Sequence, residues 1–361
     1  MIMINKERIQ RVIEEMRKKG LDQLIISDPL SIRYLTNIYV EPFERLWALL
    51  LGTDGKVCLF ANTLFVLPEN ELETVWYSDS DDAVGLMVAK ITASRLGIDK
   101  LWPARFLIPL QEKMKHTDTI LGSDCVDDCR AVKDAQEIVL MRNASRINDM
   151  VMESARDHVR EGMSEREVAR YISNEYLKYG CQGVSFAPIV SFGANGADPH
   201  HEPDDTVLKK GDAVLFDIGC LKDDYCSDMT RTYYYGVINE KQKMIHDLVR
   251  RANEAAETII KPGVRFCDID AAARNIIAEA GYGPYFTHRL GHFIGQKEHE
   301  KGDVSSTNTA KASAGMIFSI EPGIYLKGEF GVRIEDLVLV TEEGCEVLNH
   351  VDKHCQVIGC Y

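Results

Sequence analysis

Four acidic residues recur in two matching pairs. Asp217 is followed by Asp228 across Lys222-Asp223-Asp224, which reads as a turn, and Glu321 by Glu335 across Lys327-Gly328-Glu329. Each pair lies in strand-like apolar surroundings: Phe216-Asp217-Ile218, Ile320-Glu321 and Ile334-Glu335-Asp336-Leu337. A carboxylate taken into such surroundings is costly unless something positive sits beside it. One acid of this kind commonly pairs with an arginine; four at duplicated positions ask for more. Brought to a single cleft they supply a charge of about −4, which two divalent cations cancel. The expectation is a two-metal centre.

Six of the ten histidines fall between residues 200 and 299. His292, in Gly291-His292-Phe293-Ile294-Gly295, has flanking glycines that permit close backbone approach, and it is the expected nitrogen ligand. His200, after Asp198-Pro199, and His299, before Glu300, are the other cleft candidates, with His201 able to stand in for His200. His116, His158, His246, His350 and His354 lack such a context and read as surface or core residues. Arg333 lies two residues before Glu335, so in an extended strand both project to one face. It serves either as a partner for a neighbouring acid or as a stabiliser of a carbonyl or carboxylate in the cleft. Four carboxylates and one imidazole form a hard, oxygen-rich set that suits manganese first and also serves cobalt, iron or zinc; a soft thiolate site is excluded.

An internal repeat positions these residues. Gly162 to Gly180 is a helical unit opened by Ser164-x-x-Glu167, and Gly263 to Gly281 has the same length and a matching apolar stripe at an offset of 101. Gly211 to Gly219 aligns with Gly315 to Gly323 at an offset of 104, each nonamer carrying its acid two residues before the last glycine. Each half thus reads as helix, helix, then antiparallel sheet, a pseudo-symmetric α+β design. Its first helix opens with a capping box, Asp134 and Glu137, and continues along Ile138, Met141, Ala144, Ile147 and Val151.

The first third differs. Ile9, Val12, Ile13 and Met16 form a helical stripe ahead of Gly20, Leu24 to Ile26 reads as a buried strand, Asp28-Pro29 as a turn, and Thr53-Asp54-Gly55 as the turn of a hairpin. This is a smaller α/β domain, assigned to residues 1–127, with the polar stretch Gly122 to Arg130 as linker and the repeat-bearing domain at 128–361.

Of 361 residues, 42 are Lys or Arg and 56 Asp or Glu, giving a formal charge of −14. That excess of acid argues against nucleic acid as a partner. No apolar run reaches membrane-spanning length, and the N-terminus carries Lys6, Glu7 and Arg8 without an apolar segment behind them, so a cytoplasmic protein is expected. Ten cysteines without zinc-ribbon or C-x-x-C spacing read as free thiols of a reducing compartment.

The motifs Leu215-Phe216-Asp217-Ile218-Gly219, Ser227-Asp228-Met229-Thr230-Arg231-Thr232, His288-Arg289-Leu290-Gly291-His292, Ser319-Ile320-Glu321-Pro322-Gly323-Ile324-Tyr325 and Val332-Arg333-Ile334-Glu335-Asp336 together resemble the pita-bread metallopeptidases. That superfamily comprises creatinase, prolidase and methionine aminopeptidase, and the resemblance is strongest to bacterial Xaa-Pro dipeptidases. It extends through residues 1 to about 127, which are similar to the creatinase-type N-terminal domain. The resemblance implies that Asp217, Asp228 and Glu335 hold one cation and Asp228, His292, Glu321 and Glu335 a second, with Asp228 and Glu335 bridging. Cations about 3.5 to 4 Å apart would activate one water as hydroxide for attack on an amide carbonyl. It further implies Glu321 as proton acceptor, His200 as binder or proton shuttle to the leaving nitrogen, and His299 and Arg333 as holders of substrate and oxyanion.

The implied activity is hydrolysis of Xaa-Pro dipeptides by a homodimer. An aminopeptidase acting on longer Xaa-Pro peptides, a hydrolase or lyase of a small non-peptide metabolite, and a catalytically silent binding protein are the alternatives. Phe293 stands where the family pattern has a second glycine, Leu290 where threonine is common, and Gly302 where proline usually follows the His-Glu pair; Gln296-Lys297-Glu298 is more polar than usual. Phe293, beside a ligand, is expected to narrow the cleft.

Overall fold

A computed structural model describes residues 3–359 and divides after Arg130 into two compact units. In the first, helices α1 (Lys6–Lys18), α2 (Pro29–Thr36), α3 (Ala83–Val88), α4 (Ala104–Lys113) and α5 (Asp124–Ala131) accompany one mixed sheet. Its strands are β1 (Gln23–Ile26), β2 (Ala48–Gly52), β3 (Val57–Asn62), β4 (Glu73–Tyr77), β5 (Arg95–Ile98) and β6 (Asp118–Leu121), in the order β4-β3-β2-β1-β5-β6. The apolar stripe of α1 and the β2–β3 hairpin form where the residue pattern places them. Asp28-Pro29 is a helix start rather than a free turn: the Asp28 carboxylate accepts from Ser31 N at 2.9 Å, and proline is tolerated in a first turn.

The stretch read as a linker is also helical. α5 buries Cys125, Val126 and Cys129 in the core of the first unit, and Asp127 pairs with Lys100. The three buried residues fall at i, i+1 and i+4, one helical face, which the acids around them disguised.

The second unit holds the repeat. Its first half runs α6 (Ala135–His158), α7 (Glu165–Lys178), β7 (Gly183–Val184), β8 (Ile189–Phe192), β9 (Ala213–Ile218), β10 (Cys220–Lys222), β11 (Tyr225–Cys226) and β12 (Met229–Tyr235). The second half runs α8 (Glu240–Ile259), α9 (Phe266–Glu279), β13 (Gly291–Phe293), β14 (Glu300–Val304), β15 (Ile317–Ile320), β16 (Gly323–Leu326), β17 (Phe330–Arg333), β18 (Asp336–Val340), β19 (Cys345–Val347) and β20 (Val357–Ile358). Both expected capping boxes are present, at Asp134 with Glu137 and Ser164 with Glu167.

Two helices pack on a sheet in each half. Ile147, Val151, Val168 and Ile172 meet Phe192, Val214 and Phe216 of the sheet β20-β12-β9-β8. Val249, Ala256, Ile269 and Ile277 meet Phe318 and Val338 of the sheet β14-β13-β15-β18-β19. The halves meet at a seam where Glu335 N donates to Thr230 O at 3.1 Å and the Thr232 hydroxyl donates to Arg333 O at 3.0 Å. The architecture is α+β with pseudo-twofold repetition, preceded by a smaller α/β unit.

Candidate metal centre

The seam carries the acids. Asp217 lies in β9 opposite Thr230 of β12, and Asp228 immediately precedes β12. In the other half Glu321 follows β15 directly and Glu335 immediately precedes β18. The repeat thus delivers one acid from the end of a strand and one from the start of its antiparallel neighbour, twice. His292 arrives from β13, whose register shifts between His292 and Phe293. Such a bulge re-aims a side chain out of the regular alternation.

The side chains converge. His292 Nε2 lies 3.4 Å from Asp228 Oδ2, 3.7 Å from Glu321 Oε1 and 3.8 Å from Glu335 Oε1. These separations are roughly what donors sharing one ion at about 2.0–2.2 Å adopt. Among the described residues the guanidinium ion-paired with these acids is that of Arg333, which donates to Asp217 Oδ2 at 2.6 Å, to the Tyr325 hydroxyl at 2.9 Å and to Pro199 O at 3.3 Å. One arginine cannot neutralise four acids. Accordingly Asp217 Oδ1, Asp228 Oδ1 and Glu335 Oε1 are buried without any hydrogen-bond partner.

Burial pushes Asp228 well above the usual carboxylate range, with Asp217 beside it adding to the rise. Burial, then Asp228 and Glu321, do the same to Glu335, and Glu321 is pushed up to about 7 chiefly by burial. Orphaned oxygens and carboxylates reluctant to ionise are what a cation-binding set presents without its cations. The His292 ring fits as well: Nδ1 lies 3.3 Å from Phe293 O, and donation there leaves Nε2 free to ligate; burial holds the imidazole below its ordinary pKa, in the neutral form that binds metals.

The cleft around this set measures about 610 Å³ and is lined by His200, His288, Arg289, Glu298, His299 and the apolar Phe186, Ile189 and Pro199, besides the acids, His292 and Arg333. His200 and His299 therefore face the same space, and the His299 ring packs edge-on against His292 with centroids 4.1 Å apart. His201 turns away to Glu165, 2.7 Å distant. His116, His350 and His354 are exposed, while His158 stacks on Tyr171 and His246 is buried between Tyr234 and Lys353 O.

The expectation for Phe293 is overturned. Its ring points from β13 into the core, 5.4 Å from Phe266 and 5.5 Å from Phe318 between centroids, and takes no part in the cleft wall. The two side chains part at the register shift between them: His292 lines the cleft, and Phe293 packs among the core aromatics beneath α9. The ring lies over Gly302, where a Cβ would sit 2.6 Å from it and where φ is +120°. The two departures from the family pattern are thus one packing arrangement.

Sequence reasoning missed the supports of the acids. The Thr230 hydroxyl donates to Glu335 Oε2 at 2.8 Å and the Ser319 hydroxyl to Glu321 Oε1 at 3.3 Å. Tyr325 links Arg333 to His288, whose Nε2 is 2.8 Å from its hydroxyl. Thr230 and Ser319 each lie two residues from an acid, the same-face spacing of a strand, which was the available signal.

Comparison with known proteins decides the family. Residues 139–342 match Metallopeptidase family M24, and residues 8–132 match the Creatinase/Prolidase N-terminal domain. The chain belongs to metallopeptidase family M24. An uncharacterized peptidase of Staphylococcus aureus is 40% identical over 354 residues, covering 96% of this chain and 99% of that one. The crystal structure of a prolidase from Thermococcus sibiricus superposes with a TM-score of 0.91 at 34% identity, covering 98% of this chain and 99% of the other. An X-Pro aminopeptidase from Thermotoga maritima gives 0.83 at 28%, covering 96% and 100%. The chain is therefore a metallopeptidase, a family that uses divalent metals, with the pita-bread fold behind a creatinase-type N-terminal domain.

Proposed function

We propose that this M24 peptidase hydrolyses Xaa-Pro dipeptides with the help of two divalent cations, manganese by preference and cobalt, zinc or iron as substitutes. The observation that carries the reading is the convergence of Asp228, Glu321 and Glu335 on His292, with Asp217 lining the same cleft and three buried carboxylate oxygens unpartnered. Asp217, Asp228 and Glu335 would hold one cation, and Asp228, His292, Glu321 and Glu335 the other. Cations there supply a water of lowered pKa as nucleophile and polarise the scissile carbonyl.

The chain's own groups do the rest. Glu321 takes the proton of the attacking water. His200, at the cleft wall, holds the leaving nitrogen and returns a proton to it. His299 and Arg333 hold the substrate and the oxyanion, the guanidinium being oriented by Asp217, Tyr325 and Pro199 O. Phe186, Ile189 and Pro199 offer an apolar wall to a proline ring or the preceding side chain.

Chelated protein should leave an Xaa-Pro dipeptide intact and cleave it once manganese or cobalt is restored. Metal-loaded protein that releases no amino acid from any short peptide would overturn the reading. The likeness to an X-Pro aminopeptidase supports a second reading, hydrolysis of longer Xaa-Pro peptides. Dipeptides compared with tripeptides sharing the same leading pair separate the two. We further place the activity in a cytoplasmic homodimer. The nine free cysteines among the described residues suit a reducing compartment, and sedimentation at the 40.7 kDa monomer mass would contradict the dimer.

A further inference from the structure

Outside the metal centre, a second group of ligating side chains comes together: Glu165, His201 and Asp204. Glu165 opens α7 and is fully buried. Its Oε1 accepts from Phe192 N at 2.7 Å and Asn195 Nδ2 at 3.0 Å; its Oε2 takes His201 Nε2 at 2.7 Å and Asp204 N at 3.0 Å. Four N–H donors fill the lone-pair sites of a carboxylate. The Asp204 carboxylate is itself engaged by Thr206 N at 2.7 Å. The arrangement is complete without a cation.

All four donors belong to the segment 192–204, which leaves β8 and carries Pro199 and His200 into the cleft wall. Two further contacts pin the same segment from the other half. Pro199 O accepts from Arg333 at 3.3 Å, and Gly196 packs so closely on Gly331 that a Cβ on Gly331 would lie 1.7 Å from Gly196 O. Between these anchors the backbone has little freedom, and of two adjacent histidines one is spent on Glu165 while the other lines the cleft.

We propose that Glu165 is a positioning residue for hydrolysis: by gathering Phe192, Asn195, His201 and Asp204 it fixes the loop that presents His200. The proposal rests on the peptidase reading only where it assigns His200 a part in turnover. A buried carboxylate holding its full complement of donors orients groups more strictly than neutral partners do. Outer contacts of this kind are worth about 10- to 100-fold in rate when removed.

The test is a cycle of Glu165→Gln and His200→Ala in the full-length, manganese-loaded protein, with backbone hydrogen exchange of residues 193–206 followed by mass spectrometry. Glutamine keeps the shape of the side chain but turns one acceptor into a donor facing N–H groups. The expected result is faster exchange confined to that segment, a loss of about 10- to 100-fold in kcat/KM, and no further loss when Glu165→Gln is added to His200→Ala. His201→Ala, which removes one donor only, should give a smaller effect of the same kind and serves if Glu165→Gln does not fold. Equal losses with and without His200, or unchanged exchange in 193–206, would overturn the proposal. If wild-type protein cleaves no peptide, the peptidase reading fails on its own, and the exchange measurement alone decides the clamp.

Discussion

At the cleft, Asp228 and Glu335 keep buried oxygens with no partner, so each is a liability in metal-free protein and, under the proposed function, an asset once a cation arrives. Asp228→Asn should therefore raise the stability of the chelated protein by about 1–3 kcal/mol while lowering activity more than about 100-fold. Denaturant titration beside a peptidase assay reads both, and destabilisation of the chelated protein would contradict the account. Glu321 adds a pH signature. Its carboxyl is pushed from an ordinary 4.5 up to about 7 by burial, so the folded metal-free chain keeps a proton that the unfolded chain releases in that window. Stability contributed by this group must rise as pH falls from about 7 towards 4.5. The stability difference between wild type and Glu321→Gln, measured in chelator across that range, should show this slope, and a flat difference would refute it. The acids and His292 were legible because duplication gave them a pattern. The choice between His200 and His201 was not, since adjacent residues share every local signal and only the Glu165 contact separates them.

Elements carry their own lesson in β13 and β14. Phe293 and Gly302 were read as separate oddities beside the site, yet they form one contact on the core side of the strand. Gly302→Ala should cost about 1–3 kcal/mol from steric overlap and a positive φ. Part of that loss should vanish in a Phe293→Ala background, where only the backbone strain remains, as a double-mutant cycle in thermal or denaturant unfolding would show. Phe293→Leu should shift stability and leave KM unchanged; a changed KM would return the ring to the cleft wall. The helices α6 and α7 were plain from their capping boxes, as was the β2–β3 hairpin from its turn. A third capping box, Asn239 with Gln242 ahead of α8, went unread. α5 was hidden because three aspartates among its eight residues outweighed a three-residue apolar stripe.

On the scale of the whole chain, a formal charge of −14 sits beside a centre that attracts cations, and no helix among the described residues is long and apolar enough to cross a membrane. Cations that bind the folded state alone add stability in proportion to the logarithm of their excess over Kd, so manganese should raise Tm, and chelator should remove the increment. The repeat is what makes the fold readable as function: each half alone offers two acids, and only the seam between β12 and the segment leading to β18 joins them. The proposed function stands or falls with two cations held at this seam by Asp217, Asp228, His292, Glu321 and Glu335. Titration of chelated protein with manganese, with bound metal counted by elemental analysis, tests it directly. Wild type should bind two ions per chain, and Asp228→Asn and Glu335→Gln should each lose affinity at both sites. No uptake, or uptake indifferent to those substitutions, would contradict it.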